Sequence, residues 1–195
     1  MKTTIKFIAA LLFLTAIFAF TSSDKKIVVI DVSHGGKDYG ATFDEFKEKE
    51  ITLNIAQKIK ELNNNSNIEI ILTRDTDKFL SLSERAEYIN NIKPDYVISL
   101  HVNASKDENK NGMEIFVSNQ NKLLEKSEKF ARDLRNNFET QNIEIKNANF
   151  HLLANVNHPI NLLEIGYLTN SKDREFMTSE IGQTEIANTI LKVVK

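Results

Sequence analysis

Short β-branched runs, separated by stretches of helical periodicity, constrain this chain more than any other feature. Ile27–Asp31, Ile68–Thr73, Tyr96–Leu100 and Ile160–Ile165 are each largely apolar. Half-exposed strands alternate polar with apolar residues, so near-continuous runs such as "IVVI" fit strands covered on both faces, as in parallel sheets. Between the runs, Ile51, Ile55, Ile59 and Leu62 recur at helical spacing. "SLSE" at 81–84 has the form of a capping box, with Ser81 as N-cap and Glu84 at the third helical position. The helix it opens is predicted to run to about Asn91, and Pro94 marks a break before the next strand. Met113–Val117 reads as a further strand, and 122–138 as a long helix with Phe130, Leu134 and Phe138 on one face. Ile143–Ile145 and Phe150–Leu153 read as extended, and helices at 171–177 and 182–194 close the chain. Residues 35–47, holding Gly35, Gly36 and Gly40, read as a loop. The predicted fold class is therefore α/β: a single domain with a largely parallel twisted sheet flanked by helices.

No cysteine is present, which excludes disulfides, thiolate metal sites and a cysteine nucleophile. Any transition metal must be held by His, Asp or Glu. The formal net charge of −2 speaks against nucleic acid as a partner. At the N-terminus, Lys2 and Lys6 precede Phe7–Phe20, which is apolar except for Thr15, and Thr21, Ser22 and Ser23 follow. That is the layout of a secretory signal peptide and is short for a membrane span, an uncleaved anchor being the alternative. The expected division is a signal peptide at 1–23, its cleavage site unfixed, and one working domain at 24–195. Cleavage would leave no permanent membrane span and would place the protein in the periplasm, the cell envelope or outside the cell. Losing Lys2 and Lys6 takes the formal charge from −2 to −4.

His34 lies just past the first strand and His101 just past the third. Ligand sites of open α/β sheets lie outside the carboxyl ends of the strands, so parallel neighbours would bring both imidazoles to one edge. Glu164 closes the apolar run "INLLE", and Glu48 stands at the entry of the first helix, both on that edge. Two imidazoles and a carboxylate form a known catalytic zinc set, and a second carboxylate can take the proton of an activated water. Each piece has an alternative: hydrogen-bonded loop histidines, a carboxylate favouring a helix N-terminus, an ion-paired strand end, and glycines making a tight turn. The spacing alone leaves these open, because the separations are long and no HExxH occurs.

The blocks "VVIDVSHGGKDYGA", "EKEITLNIA", "LTRDTDKFLSLSERAEYINN", "DYVISLHVNAS", "GMEIFV" and "HPINLLEIGYLTN" occur in order across about residues 28–170. Together they resemble the zinc-dependent N-acetylmuramoyl-L-alanine amidases of the Amidase_3 type. The resemblance implies a Zn2+ cofactor, peptidoglycan as substrate, and hydrolysis of the amide joining the lactyl group of N-acetylmuramic acid to L-alanine of the stem peptide. It implies His34, Glu48 (rather than Glu50) and His101 as metal ligands and Glu164 as the catalytic residue. Where the family usually has Pro-Gly before its first histidine, this chain has Val32-Ser33. The stretch from Gly112 to Phe138 is too short for the inserted blocking helix of some members, so none is expected, and no block of this sequence reads as a wall-binding repeat. Targeting would then fall to the domain itself or to partners, and any protein activator is unknown.

Asp31, Ser99 and Asn103 flank the ligands, where they would orient imidazoles or cap strand ends. His158 precedes the last strand and reads as lining a substrate groove or as a plain loop histidine; His151 matches no ligand position. Arg74, Asp77 and Arg85 read as an Arg–Asp brace between the second strand and the next helix. Two rival functions remain: a wall-binding protein without catalysis, and a zinc peptidase cutting within the stem peptide. "HGGKDYG" lacks both nucleotide-binding glycine patterns.

Overall fold

A computed structural model describes residues 25–138 and 143–195; the export segment expected at 1–23 lies outside the described residues. In chain order the elements are β1 (Lys26–Val32), β2 (Thr42–Phe43), β3 (Phe46–Lys47), α1 (Glu48–Leu62), β4 (Ile68–Leu72), α2 (Leu82–Ile92) and β5 (Tyr96–Asn103). They continue with β6 (Met113–Val117), α3 (Leu124–Asn137), β7 (Ile143–Asn147), α4 (His151–Asn155), β8 (Ile160–Tyr167), α5 (Ser171–Thr178) and α6 (Glu180–Val194). The main sheet has the order β4-β1-β5-β8-β6-β7. Its first four strands are mutually parallel. β6 runs antiparallel to β8 and parallel to β7. The expected largely parallel α/β domain is what forms. The reversal at β6 has a simple cause: a parallel crossover needs a dozen or more residues, and only 104–112 join β5 to β6.

Successive side chains of a strand point to opposite faces, which divides the core in two. On one face Val28, Ile30, Leu100, Ile115 and Leu163 pack against Ile55, Ile59, Leu134, Ile186 and Ile190 from α1, α3 and α6. On the other, Val29, Val97 and Leu162 meet Ala86 and Ile89 of α2 and Leu152 and Leu153 of α4. The helices on this second face are only 11 and 5 residues long. They leave its carboxyl edge open, and the site lies there.

Two local readings change. Phe150–Leu153, expected as extended, starts α4 instead: Leu152, Leu153 and Val156 all reach the second core cluster, which a single helical turn allows and an alternating strand does not. The loop at 35–47 contains the hairpin β2–β3, whose short ladder delivers the chain to the first residue of α1. The capping box forms as read. The Ser81 hydroxyl accepts the Glu84 N–H at 3.3 Å, and Glu84 Oε2 accepts the Ser81 N–H at 2.8 Å.

Candidate active site

β1, β5 and β8 end on one edge, and His101 and Glu164 are direct partners in the β5–β8 register. Paired residues of neighbouring strands project to the same face, so these two side chains emerge side by side. His34 sits two residues beyond β1 with its backbone in the left-handed region, φ 56°. Glu48 is the first residue of α1, where the helix dipole favours a carboxylate.

The three side chains converge on one atom. Glu48 Oε1 lies 3.1 Å from His34 Nε2 and 3.0 Å from His101 Nδ1. It also accepts the Val102 N–H at 3.0 Å, while Oε2 accepts the Ala41 N–H at 2.8 Å. The rings meet edge to face at 82°, centroids 5.3 Å apart. One donor atom from each of the three residues falls within 4.8 Å of the others. Donors about 2.0–2.1 Å from a tetrahedral zinc stand roughly 3.3 Å apart. The observed carboxylate–imidazole separations come within a few tenths of an ångström of that, so the donor set fits a small cation. Gly40 makes the closure possible: a Cβ there would stand 2.4 Å from Glu48 Oε2 and 2.6 Å from His34 Cδ2.

Burial alone would raise the Glu48 carboxyl, but hydrogen bonds and charge from His101 and His34 hold it far below the ordinary carboxylate range. Glu164 goes the other way. Burial, reinforced by the charges of Glu48 and Glu114 and only partly offset by the two imidazoles, pushes it up to about 7. Its Oε2 is buried without a hydrogen-bond partner among the described residues. His34, His101 and Glu164 line an open cleft of about 650 Å3 whose apolar lining includes Phe79, Leu80, Leu82, Phe150 and Leu152. This is a buried acceptor atom beside a cation-competent cluster, in a groove that admits a large substrate.

The other expected residues make their hydrogen bonds away from the imidazoles, although Asp31 also lines the cleft. Asp31 accepts from Thr73 at 3.0 Å, Arg85 at 2.9 Å and Ser99 at 2.6 Å, so its oxygens serve the sheet edge rather than an imidazole. Asn103 donates to Glu114 at 3.2 Å and caps Ala104, again away from the rings. His158 does not line the cleft: it precedes β8 at the opposite end of that strand, its carbonyl accepting from Asn121 at 3.3 Å. His151, at the start of α4, is the additional histidine on the cleft. The Arg–Asp brace exists with different partners: Arg85 pairs with Asp31, whereas Asp77 pairs with Lys49 at 2.7 Å. Sequence reasoning missed Asp38, 2.9 Å from His34 Nδ1, and the apolar wall. The glycines around 35–40 were the available signal for the first, and the exposed aromatics at 79 and 150 for the second.

Two imidazoles and a carboxylate beside a second, unpartnered carboxylate are the donor set of hydrolases that use a metal-bound water. The chain belongs to the N-acetylmuramoyl-L-alanine amidase family (Amidase_3), whose model matches residues 28–195. It is 31% identical over 172 residues to a probable cell wall amidase, LytH, of Staphylococcus saprophyticus, covering 86% of this chain and 56% of that protein. The chain thus spans little more than half the length of that relative. The catalytic domain of CwlV, an N-acetylmuramoyl-L-alanine amidase from Bacillus (Paenibacillus) polymyxa var. colistinus, superposes with TM-score 0.80 at 32% identity, over 87% of this chain and 96% of that one. The CwlD amidase of Clostridioides difficile, solved in complex with the GerS lipoprotein, gives TM-score 0.77 at 27% identity, over 87% of this chain and 96% of that one.

Proposed function

We propose that this chain is an exported peptidoglycan hydrolase that cleaves the amide between N-acetylmuramic acid and L-alanine of the stem peptide. The observation that carries the reading is the convergence of His34 and His101 on Glu48 Oε1, beside the unpartnered Glu164 at an open cleft. His34, Glu48 and His101 would hold a zinc ion, which when bound polarises a carbonyl and makes water acidic enough to yield hydroxide near neutral pH. Zinc suits three N/O donors with no thiolate in the chain and one position left for water. Glu164 accepts the proton of the attacking water and passes it to the α-amine of L-alanine as the C–N bond breaks. The lactyl group keeps the new carboxylate. The apolar cleft wall seats the parts of the substrate beside that bond.

The substrate lies outside the cytoplasmic membrane, and the basic-then-apolar pattern of residues 1–23 is read as the export signal. Among the described residues, no helix is long and apolar enough to cross a membrane. The test is mass spectrometry of fragments released from purified peptidoglycan by the protein freed of residues 1–23, with and without a chelator. The expected products are stem peptides beginning with L-alanine, abolished by the chelator and restored by zinc. Cleavage within the stem would make the chain a peptidase instead. The CwlD relative was solved with a lipoprotein, so a zinc-loaded but silent protein would point to a missing partner or to a wall-binding role.

A further inference from the structure

The parallel ladder that fixes β1 ends at Val32, yet His34, two residues on, must stand at a defined point to meet Glu48. Two buried guanidinium groups replace the missing ladder. Arg74 donates Nε to the Val32 carbonyl at 3.1 Å and Nη2 to the Ser33 carbonyl at 2.7 Å. Arg85 donates Nη1 to the Val32 carbonyl and Nη2 to the carbonyl of His34 itself. Arg85 is in turn held by Asp31 at 2.9 Å and the Leu80 carbonyl at 3.1 Å. Both arginines are nearly inaccessible, at 4% and 2% exposure.

The left-handed backbone of His34 is sparsely populated for a residue with a Cβ and persists only where its surroundings impose it. Val32-Ser33 supplies no proline to stiffen the approach, so the carbonyl clamp is what defines it. We infer that Arg85 is a positioning residue for the metal cluster: its fork fixes the His34 carbonyl, and with it the left-handed turn that aims the imidazole at Glu48. This rests on the reading of His34, Glu48 and His101 as metal donors. Charge is not the operative property. A planar fork can hold Asp31 and three carbonyls at once, and an ammonium group is a single compact donor without that geometry.

Arg85→Lys keeps the buried ion pair and tests the fork alone. A second variant, Asp31→Asn with Arg85→Met, removes the pair together, so no buried charge is stranded if the first folds poorly. Zinc affinity is read by competition with a chromogenic chelator, coordination by the visible spectrum of the cobalt-substituted protein, and folding by circular dichroism. Folded variants are expected to bind zinc about 10–100-fold more weakly, the usual cost of losing a partner that orients a ligand, with an altered cobalt spectrum. Unchanged affinity and spectrum in both variants, with zinc lost from His101→Ala, would overturn the positioning role and leave the hydrolase reading intact. A wild-type protein that takes up no zinc would overturn both.

Discussion

Glu48 and Glu164 are the same side chain in one cluster, pushed in opposite directions by what surrounds them. Glu48 faces two imidazoles and two backbone N–H groups, all of which favour the carboxylate. Glu164 is half-buried near two other carboxylates, and its buried Oε2 has no hydrogen-bond partner among the described residues. Environments that separate two carboxyl groups in this way assign a permanent anion to one role and a proton carrier to the other. A group pushed up to about 7 is matched to taking and returning a proton near neutral pH, and a bound cation would draw it lower. Glu164→Gln keeps the shape and removes the proton acceptor. Zinc content should stay at wild-type stoichiometry while peptide release falls by roughly 10²–10⁴, the usual contribution of a positioned acid–base group. Full activity in that variant would remove Glu164 from the mechanism.

Elements were legible in the sequence where one periodicity ran long enough to dominate. The Ser81–Glu84 box formed where read, and so did the β-branched runs and the first helix apart from their ends: β5 continues to Asn103, so that His101 lies within it rather than past it, and the helix takes in Glu48. α4 was misread because five residues are too few to display a helical period. The direction of β6 followed from a connection length rather than from anything in the strand itself. The ligand residues were legible because strand ends were, but their convergence was not: Glu48 reaches His34 only through the β2–β3 hairpin and the Gly40 close approach. Of the two readings of His158, lining the groove or a plain loop histidine, the second holds: a residue that precedes β8 stands at the amino end of a strand whose carboxyl end carries the site, and His151 lines the cleft instead. The capping box matters beyond its own turn, because α2 carries Arg85 to the His34 carbonyl. Ser81→Ala should cost about 1 kcal/mol. For a chain of this size that lowers Tm by roughly 2–4 °C, measurable by thermal denaturation; an unchanged Tm would mean that the helix start does not depend on the cap.

At the scale of the whole molecule, the cluster joins the β1 loop, the start of α1 and the end of β5, so an ion held there would stabilise the fold as well as the site. Its effect on stability should depend on pH. In the metal-free protein, burial disfavours the charged His34 ring. The hydrogen bonds and charges of Glu48 and Asp38 outweigh this and raise its pKa above the ordinary value. A raised histidine contributes stability that is fully present below its unfolded pKa of about 6.5 and is lost as pH rises through the folded value. Glu48 adds no slope in that window, because its carboxyl is held well below the usual range and stays ionised. Zinc binding needs neutral imidazoles, so protons compete with it and the loaded protein gains as pH rises. Both trends widen the difference between the two forms from about pH 6 to pH 8. Free zinc at 100 times its Kd adds about 2.7 kcal/mol, which corresponds to roughly 5–11 °C in Tm for a domain of this size. Thermal melts with zinc and with chelator should therefore show a gap of that order at pH 8 and a smaller one at pH 6. Equal gaps at both pH values would mean that His34 does not exchange a proton for the metal.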